Sequence, residues 1–147
     1  KPFALFGHSL GAVIAFETAR YLKKNAGFSP VHLFVSGRAA PQTPDIREKT
    51  YHLPDDDFIE SLKRMGGTPD QLFENKELME FILPALRADF QMVETYRFEP
   101  DELLEYPITA FGGLSDHLVS RENLCAWEAL TNDKFTAHFL AGDHFFV

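Results

Sequence analysis

Residues 7–11 read Gly-His-Ser-Leu-Gly, and they stand where one apolar run, Phe3 to Phe6, gives way to another apolar stretch. The run before them is short and unbroken, as in a buried strand that ends at Gly7. After them Val13, Ile14, Phe16, Ala19 and Leu22 recur at helical spacing, which predicts a helix from Leu10 to Asn25. A serine between two glycines at a strand-to-helix junction is the pattern of a nucleophile elbow. The turn is tight, so Gly7 and Gly11 are expected to let the helix pack close to the strand. Ser9 then projects from the C-terminal edge of a sheet, at a helix N-terminus that favours developing negative charge. The backbone N–H of Leu10 would be one oxyanion donor. The bland alternative is a glycine-rich turn that merely contains a serine.

The rest of the chain decides how much of a hydrolytic fold surrounds that turn. Lys23 and Lys24 suit the C-terminal end of the helix dipole, and Gly27 suits its C-cap. Val31 to Ser36 reads as a second strand, closed by Gly37, so the start of the chain is the βαβ unit of a parallel sheet. Residues 38–52 are polar and proline-containing and read as a loop. Asp55 to Met65 reads as a helix with Asp57 and Glu60 at capping-box spacing. Gly66-Gly67 breaks it, and Asn75 to Arg97 reads as a longer helix, bent or interrupted near Pro84. No strand pattern occurs between Ser36 and Pro107. Strand character returns over Ile108 to Phe111 and ends in Gly112-Gly113. A helix over Arg121 to Leu130, with Ser120 as N-cap, and a last strand over Phe135 to Leu140 complete the order. The expected fold class is α/β, a mostly parallel sheet with helices on both faces and an all-helical insertion at residues 53–98.

A serine hydroxyl needs a base to take its proton, and the base needs a carboxylate to orient it. In open α/β hydrolytic sheets the order along the chain is serine, acid, histidine. His144 lies in a loop past the last strand and is the best base. His138 falls inside that strand, His117 precedes it, His32 is too early and His52 is in the polar loop. His8, the variable residue of the elbow, is expected to line the site. Asp116 follows the strand Ile108 to Phe111 and is the best orienting acid, because sites form past the C-terminal ends of strands. The alternative for Asp116 is a turn aspartate that caps the next helix. Asp143 adjoins His144 in sequence, so the two side chains should diverge. Asp133 and Asp101 sit in other connections.

Composition narrows the partners. The 147 residues fit one domain, and the net charge of -8 argues against nucleic acid. No apolar run is long enough to span a bilayer, and no signal-peptide pattern stands at the start. The single Cys125 fits a reducing compartment, so a cytoplasmic location is expected. The Cys and His residues lack metal-ligand spacing, and no cofactor is expected. The chain begins at a lysine almost within a strand and stops after an apolar run, as a piece of a larger domain would.

In order, GHSLGA, FVSGRAAP, LRADF, ETYRF, PITAFGGLSD, VSRENLCAWEALT and GDHFF resemble the type II thioesterases. These are stand-alone α/β-hydrolases that serve nonribosomal peptide, polyketide and some fatty acid synthases. The resemblance implies hydrolysis of acyl thioesters on the phosphopantetheine arm of a carrier protein, with Ser9 as nucleophile, Asp116 as acid and His144 as base. It implies that residues 53–98 form a lid over an acyl site; the apolar positions of that insertion, Phe58 and Phe90 among them, are expected to line it, and simple packing on a sheet edge is the alternative. Strands that precede the elbow in that family, and a helix after its histidine, are not matched. An acyl- or peptidyl-carrier protein is the implied partner. Arg38, followed by Arg87 and Arg97, offers basic side chains for docking it. Rival readings are a carboxylesterase or lipase of the same fold, a non-catalytic binding protein of that fold, and a thioesterase domain cut from a synthase.

Overall fold

The computed structural model describes residues 1–67 and 69–147. The chain forms two compact units, residues 1–44 with 98–147, and residues 45–97. In the first unit, strands β1 (Ala4–His8), β2 (His32–Ser36), β3 (Ile108–Gly113) and β4 (Phe135–Leu140) form a parallel sheet in the order β1-β2-β3-β4. Helix α1 (Leu10–Ala26) joins the first two strands. It ends at Gly27 in the left-handed conformation, with Lys23 and Lys24 in its last turn.

The register explains the core. Leu33 pairs with Ile108 and Val35 with Ala110, so alternate residues of two strands present one continuous apolar face. Against it lie Ala12, Ala15, Phe16 and Ala19, a stripe along α1 at helical spacing, together with Leu124, Trp127 and Leu130. Small alanines at three of those α1 positions let the helix approach the sheet. The described helices of this unit therefore cover one face. On the other, His32 stacks on Phe34, Phe34 on Phe111, and Phe111 on His138, a ladder of rings across β2, β3 and β4.

Several elements differ from the sequence expectation. Strand β1 continues through Gly7 and His8, because both pair with β2. It stands first in the order β1-β2-β3-β4, and Phe6 is 59% exposed among the described residues. The helix expected over Arg121 to Leu130 is α5 (Arg121–Cys125) followed by a 3₁₀ turn over Ala126–Leu130. The tighter winding coincides with Trp127, fully buried, whose indole N–H donates to the Arg38 carbonyl at 2.8 Å. Ser120 caps α5 as expected, accepting from Asn123 N–H.

The second unit holds α2 (Asp55–Met65), α3 (Asp70–Glu74) and α4 (Lys76–Thr95). Phe58, Leu62, Met79 and Leu83 form its core. Asp57 and Glu60 make no capping box: the helix begins at Asp55, which puts Asp55, Asp56 and Asp57 in the first turn, where carboxylates favour the dipole. Helix α3 has no counterpart in the sequence reading. Helix α4 runs through Pro84 without interruption. The carbonyl of Glu80, which proline cannot serve, lies on an exposed stretch where water can take it. The unit begins at residue 45, within the segment read as loop. Glu94 accepts from the backbone N–H groups of Thr50 and Tyr51, and Arg87 donates to the carbonyls of Tyr51 and Leu53 and pairs with Asp55. Two charged side chains of α4 thus tie down the polar segment that leads into α2.

Gly7 and Gly11 are not equivalent. A Cβ on Gly7 would lie 1.9 Å from the Gly11 carbonyl oxygen, whereas a Cβ on Gly11 meets nothing within 4 Å among the described residues. It is the missing Cβ of Gly7 that lets strand and helix approach. Gly7→Ala should destabilise the protein by about 1–3 kcal/mol, the range of overpacking. Gly11→Ala should be neutral or stabilising by up to ~1 kcal/mol, because alanine favours the helix. Thermal unfolding of the two variants side by side checks this; equal losses would refute the asymmetry.

Candidate active site

Ser9 lies between the last residue of β1 and the first of α1. Its φ of 52° makes it the one non-glycine with a positive φ among the described residues. Such a conformation costs on the order of 1–3 kcal/mol and persists where the surroundings over-determine it. Here the Ser9 N–H donates to the Ser36 carbonyl at 2.8 Å, so β2 fixes the turn from the side. Leu10 is the first residue of α1, and its N–H is one of those that have no carbonyl partner within the helix.

Two loops bring the other residues to Ser9. Past β3, Leu114 N–H donates to the Leu140 carbonyl and Ser115 N–H to that of Gly142. A Cβ on Gly113 would fall 2.1 Å from the Asp143 carbonyl oxygen, so glycine there lets the loop after β3 run against the loop after β4. Asp116 is carried on the first loop and His144 on the second. Asp116 Oδ2 accepts from His144 Nδ1 at 2.9 Å. Asp116 Oδ1 accepts from the N–H groups of Leu118, at 2.8 Å, and Val119, at 3.1 Å. The two readings of this aspartate are thus both present, one on each oxygen, although α5 takes its cap from Ser120. His144 Nε2 lies 3.2 Å from Ser9 Oγ.

This geometry fixes the histidine's proton. Nδ1 faces a carboxylate and carries the hydrogen, so the Nε2 lone pair is left toward Ser9 Oγ–H. The Asp116 and His144 side chains are 1% and 9% exposed. In such surroundings the pair is weakly screened. The arrangement can take a proton from Ser9 and hold the resulting imidazolium against Asp116.

His8 also reaches this cluster, with its ring 5.1 Å from that of His144. Burial first, then the neighbouring His144, holds its pKa below the usual histidine value, with Asp116 opposing. Other histidines lie elsewhere: His32 bonds Thr109, His138 stacks on Phe111, and His52 and His117 are exposed. Asp143 Oδ1 accepts from Phe145 N–H within its own loop. No three His, Cys, Asp or Glu side chains among the described residues are grouped to hold a metal ion.

Phe58 requires correction as a lining residue. It is fully buried in the core of the second unit, edge-on to Phe90 and under the Arg87 guanidinium, so it touches no open space. Phe90 is half-buried beside it. Arg87 is likewise occupied by Asp55 and the backbone, and is not a free docking group. Arg38 is half-buried and Arg97 exposed. Ser36 and Gly113 had no place among the site residues expected from sequence; their only signal was a position at the end of a strand.

No helix among the described residues is long and apolar enough to cross a membrane. The chain is 45% identical, over its whole length, to linear gramicidin dehydrogenase LgrE of Brevibacillus parabrevis. It is 46% identical, over 99% of its length, to gramicidin S biosynthesis protein GrsT of Aneurinibacillus migulanus. It spans 57% of each of these relatives. The solved structure of the type II thioesterase BorB, from the borrelidin biosynthetic cluster, superposes with a TM-score of 0.88 at 40% identity, over 99% of this chain and 59% of BorB. The sheet, elbow and relatives identify an α/β-hydrolase fold, and the thioesterase domain model matches residues 1–147: the chain belongs to the thioesterase domain family.

Proposed function

We propose that the full-length protein is a serine hydrolase that cleaves acyl thioesters from the phosphopantetheine arm of carrier proteins, editing or releasing chains on a synthase. The observation that carries this is the hydrogen-bonded line from Ser9 through His144 to Asp116, with Ser9 at the start of a helix. The names of the similar proteins, among them a type II thioesterase and a gramicidin S biosynthesis protein, support the thioester and the synthase. The word dehydrogenase in another relative's name finds less support: Ser9 stands where a dinucleotide-binding G-x-G-x-x-G/A turn has its second glycine.

In this reading Ser9 Oγ attacks the thioester carbonyl while His144 Nε2 takes its proton. The oxyanion formed is met by the Leu10 N–H and the positive end of α1. Collapse breaks the C–S bond, and the departing sulfur takes the proton back from His144. Water then attacks the acyl-Ser9 ester, giving its proton to His144 and finally leaving the acid and free Ser9. Each step uses only these side chains and water, so no cofactor or metal forms part of the proposal; a cytoplasmic location does.

The test against an esterase of the same fold compares one acyl group presented as a thioester and as an oxygen ester. A thioesterase should show a higher kcat/KM for the thioester by at least about tenfold, about 1.4 kcal/mol of transition-state preference. Equal or reversed preference would favour the esterase. Within the same proposal, residues 53–98 act as a lid lining the acyl site. Phe81 and Met92, 81% and 51% exposed on α4, are the apolar side chains it has to offer. For the carrier, the exposed Arg97 is the better docking probe, with Arg38 second. Arg97→Glu should lower kcat/KM several-fold for an acyl-carrier protein and leave a small soluble acyl thioester unaffected, the difference shrinking at high salt. Equal losses on both substrates would exclude docking.

A further inference from the structure

His8 is placed by two neighbours at the end of β2, Ser36 and Gly37. In the parallel register His8 pairs with Ser36, and its Nδ1 lies 3.0 Å from Ser36 Oγ. Ser36 is fully buried, and its carbonyl holds the Ser9 N–H. One residue of β2 therefore fixes both the nucleophile's backbone and the ring that precedes it. Gly37 follows with φ 57°, and a Cβ there would lie 2.6 Å from His8 Cε1 and 3.3 Å from His144 Cε1. The two imidazoles converge over the one position that has no side chain. Their rings are tilted by 51°, so His8 forms a wall against His144. Phe145 and Phe146 close around His8, at 6.2 and 5.9 Å between ring centres.

We propose that His8, anchored by Ser36, is a positioning residue that holds the His144 imidazole in line with Ser9 and must be neutral to do so. The proposal rests on the reading of Ser9 and His144 as nucleophile and base. A phenyl ring would supply the wall but not the anchor, and a small amide would supply the anchor but not the wall. Among the described residues, the titratable groups that act on His8 are His144, from the loop after β4, and Asp116, from the loop after β3, and β2 meets it with the Ser36 hydroxyl. His8 Nε2 is sealed from solvent and has no partner among the described residues. A proton added there would leave a charged N–H unpaired beside the imidazolium that catalysis creates on His144. Burial and His144 both press His8 toward the neutral form, so above its lowered pKa it is neutral, and it gains charge only as the pH falls further.

The test uses the full-length enzyme and a small acyl thioester, with Ser36→Ala, His8→Phe, His8→Ala and Ser9→Ala in parallel. Ser36→Ala leaves the carbonyl that holds Ser9 in place and removes only the anchor. It should lower kcat about tenfold with KM within about twofold, since small misplacements of a reacting group carry costs of that order. His8→Ala should lose more, up to about a hundredfold. In wild type the acid limb of kcat/KM should steepen to second order in protons at its lower end; in His8→Phe it should stay first order. The NMR signal of the His144 Nδ1 proton should be broadened or moved in Ser36→Ala and His8→Ala. A fall in melting temperature with kcat, pH profile and this signal unchanged would mean a purely structural role and would overturn the proposal, as would wild-type kcat in Ser36→Ala. If His8→Ala does not fold, Ser36→Ala and His8→Phe decide alone. Full turnover by Ser9→Ala would instead overturn the underlying reading, whatever the His8 variants do.

Discussion

Replacing Ser9 by alanine should abolish formation of an acyl-enzyme and lower kcat on an acyl thioester by roughly six orders of magnitude. The hydroxyl is the one side chain at the elbow that can form the covalent ester, and it lies 3.2 Å from His144 Nε2, the base that takes its proton. His144→Ala should be nearly as damaging, because an unassisted serine hydroxyl is a poor nucleophile at neutral pH. The double variant should be no worse than either single one. Two residues that act as a unit are lost together when either is lost, so the costs do not add. Rates that multiply would mean that the two side chains act independently. Mass spectrometry of the protein after brief exposure to substrate provides the direct check: the acyl adduct should appear on wild type and be absent from Ser9→Ala. The fold should survive, since the Ser9 backbone N–H that bonds Ser36 remains. Alanine carries the same Cβ as serine, so the strain at φ 52° is unchanged and the melting temperature should stay close to that of wild type.

How much of this was legible before the structure depended on the range of the interaction. The elbow could be read because its pattern is local: strand, glycine, serine, glycine and helix lie within residues 3–25. The Gly27 and Ser120 caps could be read for the same reason, one by its conformation and one by a bond across a single turn. Asp116 and His144 could be found only through their order along the chain, which reports strand ends but not distances. What joins them was hidden. Gly113 looked like the end of a strand, yet its role is to admit the Asp143 carbonyl from a loop thirty residues later. Ser36 looked like a small residue closing β2, and its significance appears only once the register puts it beside His8. Errors in the helical unit have the same origin. Asp57 and Glu60 match a capping box in spacing, but Pro54 starts the helix earlier. Phe58 reads equally well as lining or core, and only packing against Leu62, Met79 and Leu83 decides for core.

Asp116→Asn should reduce kcat/KM by about four orders of magnitude while leaving the fold intact, and the reason lies in the division of labour between the two carboxylate oxygens. Oδ1 accepts from Leu118 and Val119, and an asparagine carbonyl can accept the same bonds, so the loop after β3 should keep its shape. Oδ2 faces His144 Nδ1, and there the amide presents an N–H instead of an acceptor. To avoid two donors meeting, the imidazole must carry its hydrogen on Nε2. That hydrogen then points at Ser9 Oγ, and the lone pair that should take the serine's proton is gone. The imidazolium also loses its counter-charge at 2.9 Å, in surroundings where that charge is poorly screened. Asp116→Ala separates the two roles. It removes the acceptor for both backbone N–H groups, and leaving such donors unpaired should cost about 1–3 kcal/mol of stability in addition to the rate. Comparison of the two variants by kcat/KM and by thermal unfolding therefore distinguishes the carboxylate that orients the base from the aspartate that shapes the turn. A stable Asp116→Asn protein with wild-type turnover would remove Asp116 from the reaction and leave it a turn residue alone.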